Sequence, residues 1–184
     1  MLTIGIGFAV VVLAAAFVGL YRPWQLRWGA TADELARSMP GDDLVHRPKF
    51  NATRAITVSA RPEEVWPWLV QIGFGRAGWY SYDLLDNLGR RSVEQIVPEL
   101  QHSEPGDLVP IGPGKSSGMW VKEVEPNRWM LWWNNQKEQT TWAWGHFPLP
   151  NAATRLVTRV RAPYTLRQPL RFSGFLCSRS PIFP

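Results

Sequence analysis

Residues 2–20, LTIGIGFAVVVLAAAFVGL, form an unbroken uncharged run at the start of the chain. As a helix this run spans about 28 Å at about 1.5 Å per residue, close to the roughly 30 Å hydrocarbon core of a bilayer. Tyr21 and Trp24 follow beside Arg22 and Arg27, aromatic and basic residues where a membrane interface places them. The pattern predicts an uncleaved transmembrane anchor over residues 1–21. Ala14-Ala15-Ala16 spells an A-x-A cleavage site, but no basic leader precedes it and the apolar run is too long for a signal core. The basic flank follows the span, so the positive-inside rule expects a single-pass cell-membrane protein with its remainder in the cytoplasm.

Beyond the anchor, polar and apolar positions alternate with two different periods. Residues 31–39 predict a short helix, with Thr31 as cap, Glu34 three residues later and Pro40-Gly41 as the stop. Residues 53–60, TRAITVSA, alternate with β-branched side chains and predict a strand. Pro62 then opens a helix to Ile72, with Glu63 and Glu64 at its positive end. Val65, Trp68, Leu69 and Ile72 share one face of it, and Pro67 is expected to bend or shorten it. SYDLLDNLG predicts a second short helix stopped by Gly89, with Asp83 as its cap.

The rest of the chain predicts strands. GDLVPIGPG holds one short strand, and MWVKEVEPNRWMLWW predicts a hairpin around Glu125-Pro126-Asn127-Arg128. A second hairpin runs through TTWAWGHFPLPNAATRLVTRVR. Thr140, Trp142, Trp144 and His146 face one way in its first arm; Leu156, Thr158 and Val160 oppose Arg155, Arg159 and Arg161 in its second. Period-2 alternation of this kind predicts one covered face and one solvated arginine face. Strand, two helices, then consecutive antiparallel strands is an α+β order. The domains expected are an anchor over 1–21, a juxtamembrane helix and linker over 22–50, a folded domain over 51–162, and a basic, proline-containing tail over 163–184.

Gly73, Gly75 and Gly78 spell G-x-G-x-x-G, the string of a dinucleotide loop. Such a loop needs a strand before the glycines and a helix after them. Here a predicted helix precedes them and no βαβ pattern surrounds them. Gly73 sits where a helix-ending glycine belongs, so the motif reads as a corner.

Composition narrows the functions further. The chain has 184 residues, 45% of them apolar and 19% charged, which suits a folded domain with appendages. Eleven tryptophans favour a large pocket, an interface or a membrane boundary, since each ring brings an N–H that needs a partner. The single cysteine, Cys177, excludes an internal disulfide. His46, His102 and His146 are scattered, so no metal or other cofactor is expected. The formal net charge of +5 collects at the end of the chain, but no nucleic-acid motif accompanies it. Asn51-Ala52-Thr53 reads as a chance glycosylation sequon, relevant only to a secreted chain.

RPWQLRWGAT…LARSMPGDDLV, TRAITVSARPEEVWPWLVQIGFGRAGWYSYDLLDNLG, IVPELQ…PGDLVPIGPG, VKEVEPNRWMLW and TWAWGHFPL…TRLVTRVR together resemble membrane-tethered members of the SRPBCC (START-like, helix-grip) superfamily. The resemblance covers residues 22–161. It implies a curved antiparallel sheet wrapped round a long C-terminal helix and enclosing an apolar cavity. It also implies binding of lipids, sterols or polyketides, and in a minority of members cyclisation or dehydration. This chain departs from the pattern after Arg161, where Pro163, Pro169, Gly174, Pro181 and Pro184 leave no uninterrupted helix of normal length.

Trp132, Trp142, Trp144 and His146 are the candidate lining of a pocket, with Trp79, Tyr80, Tyr82 and Asp83 at the corner beside it. Ordinary core packing is the competing reading for each ring. His146 is the inward histidine and the one general-base candidate, with no carboxylate partner in its strand. His102, Glu99 and Glu104 fall in a polar connection and read as solvated. No G-x-S-x-G or reactive cysteine supports nucleophilic catalysis. Binding of an apolar small molecule or lipid is the leading expectation, with the membrane reached through residues 2–20 and no nucleic acid. An enzyme of the cyclase or dehydratase kind, using His146 or a tyrosine as proton carrier, is the alternative. A truncated copy without function is the third.

Overall fold

The computed structural model describes residues 6, 12, 15–114, 117–134 and 139–163. A π-helical turn, Phe17–Tyr21, runs into helix α1, Arg22–Leu26; α2 is Ala32–Ala36. Strand β1, Phe50–Val58, leads to α3, Pro62–Val70, and then to the single turn of α4, Asp83–Asp86. Five strands follow: β2 Leu108–Pro110, β3 Gly118–Glu125, β4 Trp129–Trp133, β5 Thr141–Leu149 and β6 Ala153–Ala162. All six form one sheet in the order β1-β6-β5-β4-β3-β2, and every neighbouring pair is antiparallel. Among the described residues the architecture is α+β, with few and short helices.

Both predicted hairpins form. Asn127 takes φ 62° at the β3–β4 turn, and Asn151 and Ala152 take φ 62° and 55° between β5 and β6. Strand β1 begins three residues earlier than its alternation suggests, because its pairing with β6 runs from Phe50 opposite Ala162 to Val58 opposite Thr154. Helix α3 keeps Pro67 inside it but ends at Val70, two residues short of the expected stop. Helix α2 is shorter than expected too, although its Thr31–Glu34 capping box forms as predicted, with Thr31 N donating to Glu34 Oε2 at 2.8 Å.

The arginine face of β6 is not solvated. The segment around α2 lies across it, and Met39 packs there against Ala55, Leu131, Ala143 and Val157. Arg159 is only 4% exposed. It donates to Thr53 Oγ1 at 2.9 Å, to Asp42 Oδ2 at 2.6 Å, and to the carbonyls of Glu34, Leu35 and Arg37 at 2.8, 3.2 and 2.8 Å. A guanidinium thus satisfies the carbonyl end of a short helix, which otherwise has no partners for those groups. Arg155 pairs with Glu34 at 2.7 Å and Arg161 with Asp42 at 2.8 Å. The Arg155 hydrogen bond holds the Glu34 carboxyl at about 2, below its usual 4.5. Alternation identified the face correctly; the strap of chain that covers it comes from more than a hundred residues away and leaves no local signal.

The opposite face carries the larger core. Leu69 and Ile72 pack against Val109, Met119, Val121, Met130, Trp132, Trp144 and Leu156. Register places Ala52, Val160, Trp142, Trp132 and Val121 in one row across five strands, and Arg54, Thr158, Trp144 and Met130 in the next. Ile56, Leu156 and His146 make a third row.

Among the described residues, no helix is long and apolar enough to cross a membrane. Most of the predicted anchor, residues 1–21, lies outside the described residues, as does the tail over 164–184 with Cys177.

Candidate apolar binding site

The glycine corner forms a closed loop. Gly73 and Gly78 bridge each other, N–H to carbonyl, at 3.1 and 3.3 Å. Every amide between them has an acceptor inside the protein. Phe74 donates to the Pro110 carbonyl at 2.8 Å, Arg76 to Gly73 at 3.1 Å and Ala77 to Gln71 at 3.2 Å. Gly75 N donates to Asn87 Oδ1 at 3.3 Å. A phosphate cradle works through amides that point outward with no partner, and this loop has none to offer. Gly78 takes φ 95°, and a Cβ there would stand 2.3 Å from Ser92 Oγ, so only glycine fits the closure.

The corner walls one side of a cavity of about 220 Å³. Its floor is the sheet: Phe50, Ala52, Arg54 and Ile56 of β1, Leu156, Thr158 and Val160 of β6, and Trp142 and Trp144 of β5. Ile72, Phe74 and Trp79 close it from the corner, with Ile111 beside them. Trp28, Leu85 and Leu88 form the rim. The indoles stack in series. Trp79 lies parallel to Trp142 within 2°, centroids 5.8 Å apart, and Trp142 lies on Trp144 at 4.8 Å. Trp142 Nε1 donates to Thr158 Oγ1 at 2.6 Å, so this indole presents its apolar face while its polar edge is satisfied.

The sequence candidates divide cleanly against this geometry. Trp79, Trp142 and Trp144 line the cavity. Trp132 stands one strand behind Trp142, edge-on to it at 5.3 Å and only 1% exposed, and is core. Tyr80 turns to Gln71, to which its hydroxyl is hydrogen-bonded, and meets Trp68 edge-on at 5.6 Å. Burial raises the Tyr80 pKa above the ordinary phenol value. Tyr82 is exposed. Asp83 is the first residue of α4 and does not cap it: its carboxylate accepts from Ser92 N at 3.0 Å and Ser92 Oγ at 2.6 Å.

His146 is inward-facing as expected but stands outside the cavity. Trp66 of α3 covers it edge-on at 5.4 Å. Neither ring nitrogen has a hydrogen-bond partner, and burial lowers its pKa from 6.5 to about 4. His102, Glu99 and Glu104 are exposed, as their polar connection suggested.

The lining that sequence reasoning missed comes mainly from β1 and β6. Phe50, Ala52, Ile56 and Val160 are unremarkable alternating apolar residues, and only the pairing of the first strand with the last brings them under Trp142. Arg54 gives no signal of its own either. It sits in the row of Trp144 and Thr158, its Nε donating to the Gln25 carbonyl at 3.1 Å, and burial lowers its pKa.

No family model and no curated protein matches this sequence. Several solved structures are similar to it. MLL2253 from Mesorhizobium loti is 16% identical, with 68% of this chain and 85% of that one covered and a TM-score of 0.39. DR_A0006 from Deinococcus radiodurans is 16% identical, covering 61% and 83%, at 0.31. CV1439 from Chromobacterium violaceum is 12% identical, covering 61% and 79%, at 0.32.

Proposed function

We propose that this chain is a membrane-anchored binding domain of the helix-grip kind, which takes an apolar small molecule into the cavity between the glycine corner and β1, β6 and β5. The observation that carries the reading is the indole-walled hollow itself. A void of about 220 Å³ exceeds the roughly 150 Å³ that holds benzene in an apolar protein interior. It falls below the usual 300–1,000 Å³ or so of drug-sized pockets. A single ring system or a short acyl segment fits; a whole sterol or phospholipid would extend past the rim. The uncharged run over residues 2–20 supports the anchor, and the basic residues after it support a cytoplasmic domain.

The enzymatic alternative draws little from the site. His146 borders the lining opposite Leu156 but lies outside it under Trp66, and the Tyr80 hydroxyl is engaged by Gln71. The binding reading predicts an apolar compound held stoichiometrically by the detergent-extracted full chain, detected by native mass spectrometry. Ala52→Phe, which places a ring into the cavity floor, should release that compound while leaving the protein folded. An empty wild type, or the same occupancy in both proteins, counts against the reading.

A further inference from the structure

The loop that carries α4 turns its polar side chains inward and its leucines outward. Asp83 is fixed by Ser92, and Asp86 accepts a hydrogen bond from Ser81. Asn87 is buried; it donates to the Arg90 carbonyl at 2.8 Å and accepts from Gly75 N at 3.3 Å. The Asp83 carbonyl accepts from Asn87 N at 3.0 Å and from Gly89 N at 2.8 Å. Held by these contacts, the backbone reverses through Leu88 at φ 52° and Gly89 at φ 78°. A leucine in the left-handed region is uncommon and persists where its surroundings enforce it. The result is a braced loop presenting Leu84 at 77% exposure and Leu85 and Leu88 at 66%.

Exposed leucines scattered singly need no explanation. Three within five residues, on a braced loop that forms the rim of an apolar cavity, do. Arg90 and Arg91 follow at once and are exposed. Trp28 also lines the cavity and is preceded by α1, whose Leu26 packs beside Phe50, Ala52 and Val160 of the cavity floor. Along the helical turns that end at α1, Phe17, Val18, Leu20, Tyr21 and Trp24 are exposed, and this surface continues the uncharged run of residues 2–20. Exposed apolar side chains beside arginines therefore occur both on the α4 loop and on the helical turns that run into α1. Apolar side chains beside cations match the acyl boundary and phosphate layer of an anionic bilayer.

We infer that the Leu84-Leu85-Leu88 rim docks into the surface of an anionic lipid bilayer, so that the cavity mouth opens onto lipid. The inference rests on the membrane tether proposed above. The uncharged run that leads into α1 and the charge of Arg90 and Arg91 select lipid over a second copy of the chain.

The test uses the full chain with Cys177→Ser, carrying a bimane label at Leu84→Cys or at Leu149→Cys. Leu149 is partly exposed at the far end of β5 from the cavity. Each protein is reconstituted into phosphatidylcholine vesicles with or without phosphatidylglycerol, and quenched by spin-labelled lipid or by aqueous iodide. The Leu84 label should be quenched by spin-labelled lipid at least threefold more than the Leu149 label. That ratio should rise with phosphatidylglycerol and fall in an Arg90→Glu/Arg91→Glu background. A protein that floats with vesicles while its Leu84 label stays open to iodide overturns the rim proposal and leaves the tether standing. A Leu84 label shielded from both quenchers means that a second copy or residues 164–184 cover the rim, which also overturns it. A chain that does not float overturns tether and rim together.

Discussion

His146 gives the fold an acid sensitivity with a defined window. Its imidazole is 4% exposed and has no hydrogen-bond partner at either nitrogen. Desolvation takes its pKa from 6.5 to about 4. The unfolded chain therefore binds a proton before the folded one does. The stability associated with neutral His146 is intact above pH 6.5, drains as the pH falls toward 4, and changes no further below that. The gap between 6.5 and about 4, at about 1.4 kcal/mol per pH unit, amounts to roughly 3.4 kcal/mol. By the linkage relation about 2 kcal/mol of it is lost between pH 7 and pH 5. Glu34 acts in a separate window: its lowered pKa gives stability that is present above 4.5 and lost as the pH falls toward about 2. His146→Leu keeps the apolar contact with Trp66 and removes both the titration and the unpartnered nitrogens. Urea unfolding of the detergent-solubilised full chain at pH 7 and pH 5 should show wild type losing about 2 kcal/mol more than the variant. The variant should be no less stable at pH 7, because an unsatisfied buried polar group has gone. Equal losses in the two proteins would refute the argument.

Asp42 keeps Arg161 in an Arg159→Leu variant, but the carbonyls of Glu34, Leu35 and Arg37 lose their donor. The protein should therefore be destabilised by about 3–5 kcal/mol, at about 1–3 kcal/mol for each buried group left unsatisfied. The strap around α2 should then become susceptible to limited proteolysis, while cleavage of the sheet is unchanged. Gly29→Ala and Gly75→Ala both place a Cβ on a residue in the left-handed region, at φ +72° and +69°. Only at Gly29 would that Cβ meet a backbone oxygen, Ala55 O at 2.1 Å, whereas Gly75 has nothing within 4 Å. Thermal unfolding should show a loss of roughly 1–2 kcal/mol for Gly75→Ala and a larger one for Gly29→Ala.

The local order of elements was legible in the sequence, and long-range placement was not. The capping box at Thr31 and Glu34 and the Pro-Asn turn near Arg128 are interactions over three or four residues, and each appears where its motif stands. Alternation along β5 and β6 identified which residues share a face, since the period of a strand is a local property. It could not say which part of one face is void and which is solid. That depends on the Phe74 corner standing over β1 and β6 while Trp66 sits directly on His146. Hence Trp142 and Trp144 line the void and Trp132 does not, while Ala52 and Val160 carry no local mark that separates void lining from solid core. The arginines of β6 misled for the same reason. Their partners, Glu34 and Asp42, lie over a hundred residues upstream and carry no pattern that pairs them.

That distance has a consequence for assembly. The first strand bonds to the last, and Arg159 meets the Glu34 carbonyl across 125 positions of sequence. Such topologies fold slowly, because chain entropy is surrendered long before the closing contacts form. On a translating ribosome, β1 must wait until β6 emerges before it finds its strand partner, and Glu34 and Asp42 must wait for the arginines they hold. A nascent chain arrested before Arg155 would present β1 as a bare edge beside an unfilled apolar hollow. Chaperone dependence should therefore peak late in synthesis.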